Sequence, residues 1–191
     1  MVRIKEGFKG ERFVSLPENL LREYSKDPLI ENLYVRKIGF FPKVKYHYVQ
    51  KEDYAMLIYC VDGKGKYHIN GKTYQIRQKQ YIFIPPHVPY SFEADIDEPW
   101  TIYWLHFSGK LVHSIFTVHI SPGIILSDEH SRQQVRIELF EEIYNSFSMG
   151  YIKEYFAYSA MYLYSFLSTF FKSNFGISVF PDISRFHFLC G

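Results

Sequence analysis

With 191 residues, 47% apolar and 22% charged, the chain is too apolar for disorder and long enough to bury a real core, so one domain with a helical appendage is expected. A net charge of +2, from 22 Lys and Arg scattered among 20 Asp and Glu, argues against a surface that grips duplex phosphates by itself, since that chemistry needs a concentrated basic stripe. Cys60 and Cys190 lie far apart and form no disulfide framework, which fits a reducing cytoplasm, and the start Met1 to Gly7 lacks the apolar core of a signal peptide.

Residues 1–35 read as a mixed lead-in, with one short helix over Leu16 to Tyr24 because Pro17 suits a first helical position. Strand grammar then takes over. Leu33 to Ile38 and Lys43 to Val49 are rich in β-branched and aromatic residues, and Tyr54 to Val61 is a nearly continuous apolar run suited to a strand covered on both faces. Asp62-Gly63-Lys64-Gly65 supplies a turn before a strand at Lys66 to Ile69. Asn70-Gly71 then gives a strong hairpin signal ahead of Lys72 to Arg77. Tyr81 to Ile84 is a short strand stopped by Pro85-Pro86. Tyr90 to Phe92, an acidic turn at Glu93 to Glu98, and a long strand from Trp100 to Phe107 complete the series. Short strands at regular spacing predict an antiparallel barrel or sandwich.

After a connector at 121–130, Val135, Leu139, Ile143 and Phe147 recur at helical spacing, and Met149-Gly150 ends that helix. The segment from Tyr151 to Lys172 is a second helix, apolar nearly all round. Its uncharged part, Tyr155 to Phe171, falls short of the ~20 residues that cross a bilayer. Such a helix needs more than one covering neighbour, and a second subunit is one candidate. The division expected is 1–120 for the barrel with its N-terminal arm and 121–191 for the helical segment and tail.

The aromatic content, 18 Phe, 17 Tyr and 2 Trp, suits a ring-lined pocket, a dimer interface or simply a Phe-rich core. Alternation puts Trp100, Ile102, Trp104 and His106 on one face of the last barrel strand and Thr101, Tyr103, Leu105 and Phe107 on the other. Tyr90 and Phe92 share a parity and are expected inside. Cys60, within a strand, reads as a buried inert thiol. No Gly-x-Ser-x-Gly elbow or Walker loop is present, and Gly63-Lys64-Gly65 reads as a hairpin turn rather than a phosphate cradle.

The run Ile58-Tyr59-Cys60-Val61-Asp62-Gly63-Lys64-Gly65 through Asn70-Gly71-Lys72, then Ile84-Pro85-Pro86-His87-Val88-Pro89-Tyr90, then Trp100-Thr101-Ile102-Tyr103-Trp104-Leu105-His106-Phe107, resembles the N-terminal cupin-like domain of the AraC family of transcription regulators. The resemblance covers roughly residues 33–172. It implies a mainly β fold, a cupin-like antiparallel β-barrel (jelly roll) followed by two antiparallel α-helices, that binds a small effector, often a carbohydrate. It also implies a cytoplasmic homodimer and a separate double helix-turn-helix domain that reads DNA. Ser173 to Gly191 has no room for that domain, so DNA contact is expected only through a part absent from this chain.

In a sugar-sensing member of the family, a Trp matching Trp104 stacks on the ligand. The candidate ligand contacts are therefore Trp104, His106, Trp100, Tyr90, Phe92, Asp62 and Ile102, with Tyr46, Tyr48 and Arg36 behind them. Two matches depart from that member: Asp62 replaces a cation and Phe92 a Tyr. Dimer contacts are expected from Val135, Leu139, Ile143 and Phe147 on the first helix and Phe156, Leu163 and Phe170 on the second. Many cupins hold a metal on His-x-His, Glu and a later His. Here no His-x-His occurs, Met56 stands at the Glu position and Tyr90 at the later His, so no metal or cofactor is expected. The competing reading is a small metal-dependent cupin enzyme, an isomerase or dioxygenase.

Overall fold

The computed structural model describes residues 9–43, 47–50, 52–69, 71–119, 126–127 and 132–171. In chain order the elements are β1 (Arg12–Ser15), α1 (Glu18–Tyr24), β2 (Tyr34–Phe41), β3 (His47–Gln50), β4 (Ala55–Asp62), β5 (Lys64–Ile69), β6 (Lys72–Arg77), β7 (Gln80–Ile84), β8 (Tyr90–Ala94) and β9 (Thr101–Ser108). Then follow α2 (Val112–Ser114), running into a π-helical turn at Ile115–His119, β10 (Leu126–Ser127), α3 (Gln133–Ser148) and α4 (Lys153–Ser168).

The strands form two antiparallel sheets, one in the order β1-β2-β9-β4-β7-β10 and the other β3-β8-β5-β6. The two four-strand sets β2-β9-β4-β7 and β3-β8-β5-β6 are those of a jelly roll, two Greek keys folded together. The fold is the mainly β, cupin-like barrel with two terminal helices that the strand grammar and the resemblance led us to expect. β5 and β6 pair as a hairpin, with Ile69 opposite Lys72 and Gly71 at a φ of 72° that favours glycine; Asn70 itself lies outside the described residues. The acidic turn is closed by Asp95, whose Oδ1 accepts from the backbone N–H of Asp97 at 3.1 Å and of Glu98 at 3.0 Å. Several short elements were not anticipated: β1, α2 with its π-helical turn, and β10. β1, in the supposed lead-in, pairs with β2 and extends the sheet, placing Phe13 opposite Gly39.

Alternation along the central strands divides the interior in two. Met56, Ile58, Cys60, Ile82, Ile84, Ile102 and Trp104 face between the sheets, where Tyr67, Ile69, Ile76, Tyr90, Phe92 and Trp100 meet them. Leu57, Tyr59, Tyr81, Phe83, Tyr103, Leu105 and Phe107 face outward into a second core, roofed by α3 and α4. Each large side chain buried in this way contributes roughly 1.5–3 kcal/mol.

That roof corrects the expectation for the helices. Ile143, Phe147, Phe156, Leu163 and Phe170, expected at a dimer contact, are each at most 3% exposed and packed in this chain's own second core. The physical reason is that the sheet's outer face is itself apolar by alternation, so the helical pair finds its cover within the subunit. Leu139 is half-buried against the same core. Val135 alone of the seven stays on the surface, at 45% exposure. Arg136 fastens α3 to the end of α4: its Nε donates to Thr169 Oγ1 at 3.1 Å and its Nη2 to the Thr169 carbonyl at 2.9 Å. Its guanidinium lies 4.0 Å from the Phe170 ring centroid, 5.5 Å from Tyr59 and 5.4 Å from Tyr81.

Candidate functional site

β9 carries two of the inward-facing polar side chains. Trp104 and His106 are two residues apart and share the barrel face, and both are buried, at 7% and 4% exposure. Across β2, Gly39 is the register partner of Trp104 and Phe41 that of Ile102. The indole of Trp104 covers the Gly39 backbone so closely that a Cβ there would come within 2.5 Å of Cε2. Phe41 lies 5.1 Å away from Trp104 between ring centroids, and Phe13 of β1 lies 6.5 Å away.

His106 sits between two rings, stacked on Tyr54 at 4.8 Å with an interplanar angle of 27° and tilted against Trp104 at 5.0 Å. The other face of this group is cationic. β2 shifts register between Val35 and Lys37, a bulge that sets Arg36 as the extra residue and leaves Lys37 opposite His106. Lys37 Nζ donates to the Tyr54 hydroxyl at 3.2 Å, and the Arg36 guanidinium lies 5.0 Å from the Tyr54 ring centroid. Arg36 is neutralised by Glu18 of α1 at 2.6 Å.

Burial, reinforced by the charges of Lys37 and then Arg36, pushes the His106 imidazole down to about 3. It is therefore neutral at physiological pH and offers one N–H donor and one nitrogen acceptor. Neither ring nitrogen has a hydrogen-bond partner among the described residues, nor do Trp104 Nε1, Trp100 Nε1 or the Tyr67 hydroxyl. Buried polar groups in folded proteins are overwhelmingly bonded. Several such atoms in one otherwise apolar barrel therefore mark a place equipped for polar contact. Trp104 and His106, with ring centroids 5.0 Å apart, form a pair within it.

The remaining candidates divide. Ile102, Tyr90 and Phe92 line the same interior. Tyr90 donates to the Met56 sulfur at 3.1 Å and stacks on Phe92. Trp100 is fully buried just before β9, wedged against Gly65 and edge-on to Phe92 at 5.6 Å. Asp62 is not brought into the group. It sits exposed at the end of β4, 4.0 Å from Lys43, on an open groove of about 570 Å³ shared with Lys64, Arg77 and Glu98. Tyr46 lies outside the described residues, as does the side chain of Tyr48. Burial pushes the Cys60 thiol up to about 12, so it stays protonated and unreactive. Among the described residues no three His, Cys, Asp or Glu converge as metal ligands would. Also among them, no helix is long and apolar enough to cross a membrane.

Sequence reading missed Lys37, Tyr54 and Gly39. Gly39 inside a strand was a usable sign of close backbone approach. The bulge that pairs Lys37 with His106 has no signature in the chain.

The family of AraC-like ligand binding domains matches residues 41–154, from the end of β2 into the start of α4. The chain belongs to this family. Two relatives are similar over parts of this AraC-like domain. The MmsAB operon regulatory protein of Pseudomonas aeruginosa is 29% identical over 100 residues, 49% of this chain and 33% of the relative. The Msm operon regulatory protein of Streptococcus mutans is 28% identical over 80 residues, 42% of this chain and 26% of that one. The match thus spans about a third or less of the length of these curated relatives. Among solved structures, the domain is similar to the cupin domain of Schizosaccharomyces pombe Cnp3 (16% identity, TM-score 0.38, 61% of this chain and 77% of that one). It is also similar to Escherichia coli YhaK (16% identity, TM-score 0.40, 52% and 44%). Lys37, Gly39 and Phe13 precede the matched segment, so the barrel end around His106 is built partly from residues outside it.

Proposed function

We propose that this AraC-like domain is the sensing part of a cytoplasmic transcription regulator, taking a small hydroxylated effector of the carbohydrate class against Trp104 and His106 without metal or cofactor. The observation that carries the reading is the pair itself: a neutral buried imidazole beside an indole, with polar atoms that no described protein group uses. A sugar ring lays its C–H groups on the Trp104 face and its hydroxyls exchange hydrogen bonds with His106, Trp104 Nε1 and Tyr67. Tyr90, Phe92 and Ile102 close the apolar side, and Trp100 supports Phe92 from behind. The operon-regulator names of the relatives favour a regulatory output over catalysis, with DNA read by a domain outside this chain.

The output requires two subunits. The outer face of the helical pair, with Val135 on α3 and Tyr158, Met161 and Tyr164 on α4 exposed, is the surface offered for a second copy. An effector that prefers one arrangement of the dimer by about 1–3 kcal/mol is enough to shift it. Thermal-shift screening of sugars and small acids, repeated on Trp104→Ala, tests the reading. A ligand at 100 times its dissociation constant adds about 2.7 kcal/mol to the wild type, and the variant is expected to lose that gain while keeping its fold. Equal gains in both proteins remove Trp104 from the site.

A further inference from the structure

We propose that the effector carries a carboxylate, held by Lys37 at the end of the barrel, while its hydroxylated body meets His106 and Trp104. The inference rests on the sensing role argued above and adds the ligand's charge. Three observations carry it.

The first is that no acid is found in an ion pair with Lys37 among the described residues. The half-buried Lys64 has Glu98 at 3.3 Å and Asp95 at 4.0 Å, and Arg36, next to Lys37, has Glu18 at 2.6 Å. Lys37 is also half-buried, yet the bond found for it among the described residues runs to a neutral hydroxyl, that of Tyr54. A cation withdrawn from water without a counter-charge is costly, and a bound anion removes that cost. Glu11, the acid on the covering segment, precedes β1, while Lys37 pairs in register with Ser15 at that strand's far end.

The second is position. The bulge at Arg36 brings Lys37 into register with His106, so the ammonium and the buried imidazole flank one end of β9. Tyr54 joins them, bonded to one and stacked on the other. A carboxylate against Lys37 therefore leaves the rest of a small molecule lying along His106 and Trp104.

The third is the kind of anion. The group offers one cation, Lys37, with no ion pair among the described residues, and neutral donors, the Trp104 Nε1–H and one N–H of His106. It has neither a glycine-rich nest nor a fork of several cations, the arrangements that accompany phosphate. A single negative charge spread over two oxygens fits. A hydroxy acid or sugar acid combines that charge with hydroxyls for the remaining polar atoms.

The test uses the purified chain and matched probes: D-galacturonate against D-galactose, D-gluconate against D-glucitol, and lactate against lactamide. Binding is read by tryptophan fluorescence and thermal shift on the wild type, Lys37→Met and Lys37→Arg. At least one acid is expected to bind tenfold or more tightly than its neutral counterpart. Lys37→Met should lose tenfold or more for that acid, and Lys37→Arg should keep most of the affinity. Neutral probes that bind as well as the acids, or an unchanged Lys37→Met, overturn the carboxylate while leaving the sensing role intact. A panel in which neither member of any pair perturbs the tryptophans overturns both.

Discussion

Trp104 and Gly39 face each other across β9 and β2, and the indole fills the space that a side chain at position 39 would need. That relationship fixes how the ring is presented to the barrel interior, and it makes the glycine a positioning residue for the site. Gly39→Ala is expected to push the indole out of place and to cost about 1–3 kcal/mol, as overpacked cores do. In a domain of this size that lowers the midpoint of thermal unfolding by roughly 2–10 °C. The tryptophan emission maximum should shift with it, and a variant with unchanged emission and stability would mean that the ring yields freely.

Acid stability should report the burial of His106. Unfolded, the imidazole takes its proton near 6.5; folded, it refuses one until about 3. Between those values the unfolded chain binds more protons, so stability present above pH 6.5 is lost as the pH falls. The slope from this one group reaches about 1.4 kcal/mol per pH unit. His106→Leu is expected to flatten the stability curve between pH 6 and 4, measured by urea unfolding. Identical slopes in the two proteins would mean that His106 is solvated.

The Arg136 cage ties the barrel to the helices, because its rings come from β4, β7 and the residue after Thr169. Replacing the guanidinium by an apolar chain in Arg136→Met removes its two bonds to Thr169 and its attraction to the rings. The expected loss is roughly 2 kcal/mol, with hydrogen exchange speeding first at the C-terminal turn of α4. Exchange that rises evenly over the whole barrel would argue against a local fastening.

The exposed and buried faces of the helical pair should separate cleanly under mutation. Phe156→Ala is expected to cost about 3–5 kcal/mol by opening a cavity beneath the roof. Met161→Glu, on the outer face at 54% exposure, should leave stability within about 0.5 kcal/mol. Light scattering is expected to give a dimer for the wild type and a monomer for Met161→Glu. A wild type that stays monomeric at high concentration removes the pairing of subunits from the proposal.

Much of this was legible in the chain because alternation and turn chemistry are local. The pairing of β5 with β6 follows from turn chemistry, and the shared face of Ile102, Trp104 and His106 and the inward parity of Tyr90 and Phe92 follow from period-two geometry. What covers a face is another matter. The spacing of Val135, Leu139, Ile143 and Phe147 says that one side of α3 is buried, but a neighbouring sheet and a neighbouring subunit leave the same spacing. Three of the four turned out to pack at least partly into this chain's own second core. Asp62 was placed by its match to a relative's residue, and at the strand's end its side chain turns to an open groove instead. Lys37 was out of reach for a third reason: a one-residue bulge reverses parity, and no composition signals it.

Nitrogen-detected NMR of the histidine ring and tryptophan indole signals gives the most direct view of the barrel interior. At pH 7 the His106 ring should show the neutral form, and titration with a panel of sugars and hydroxy acids should move the His106 and Trp104 signals together, saturably, with one dissociation constant. Compounds that bind the domain while both signals stay still would place its ligand elsewhere and leave the interior as packing alone.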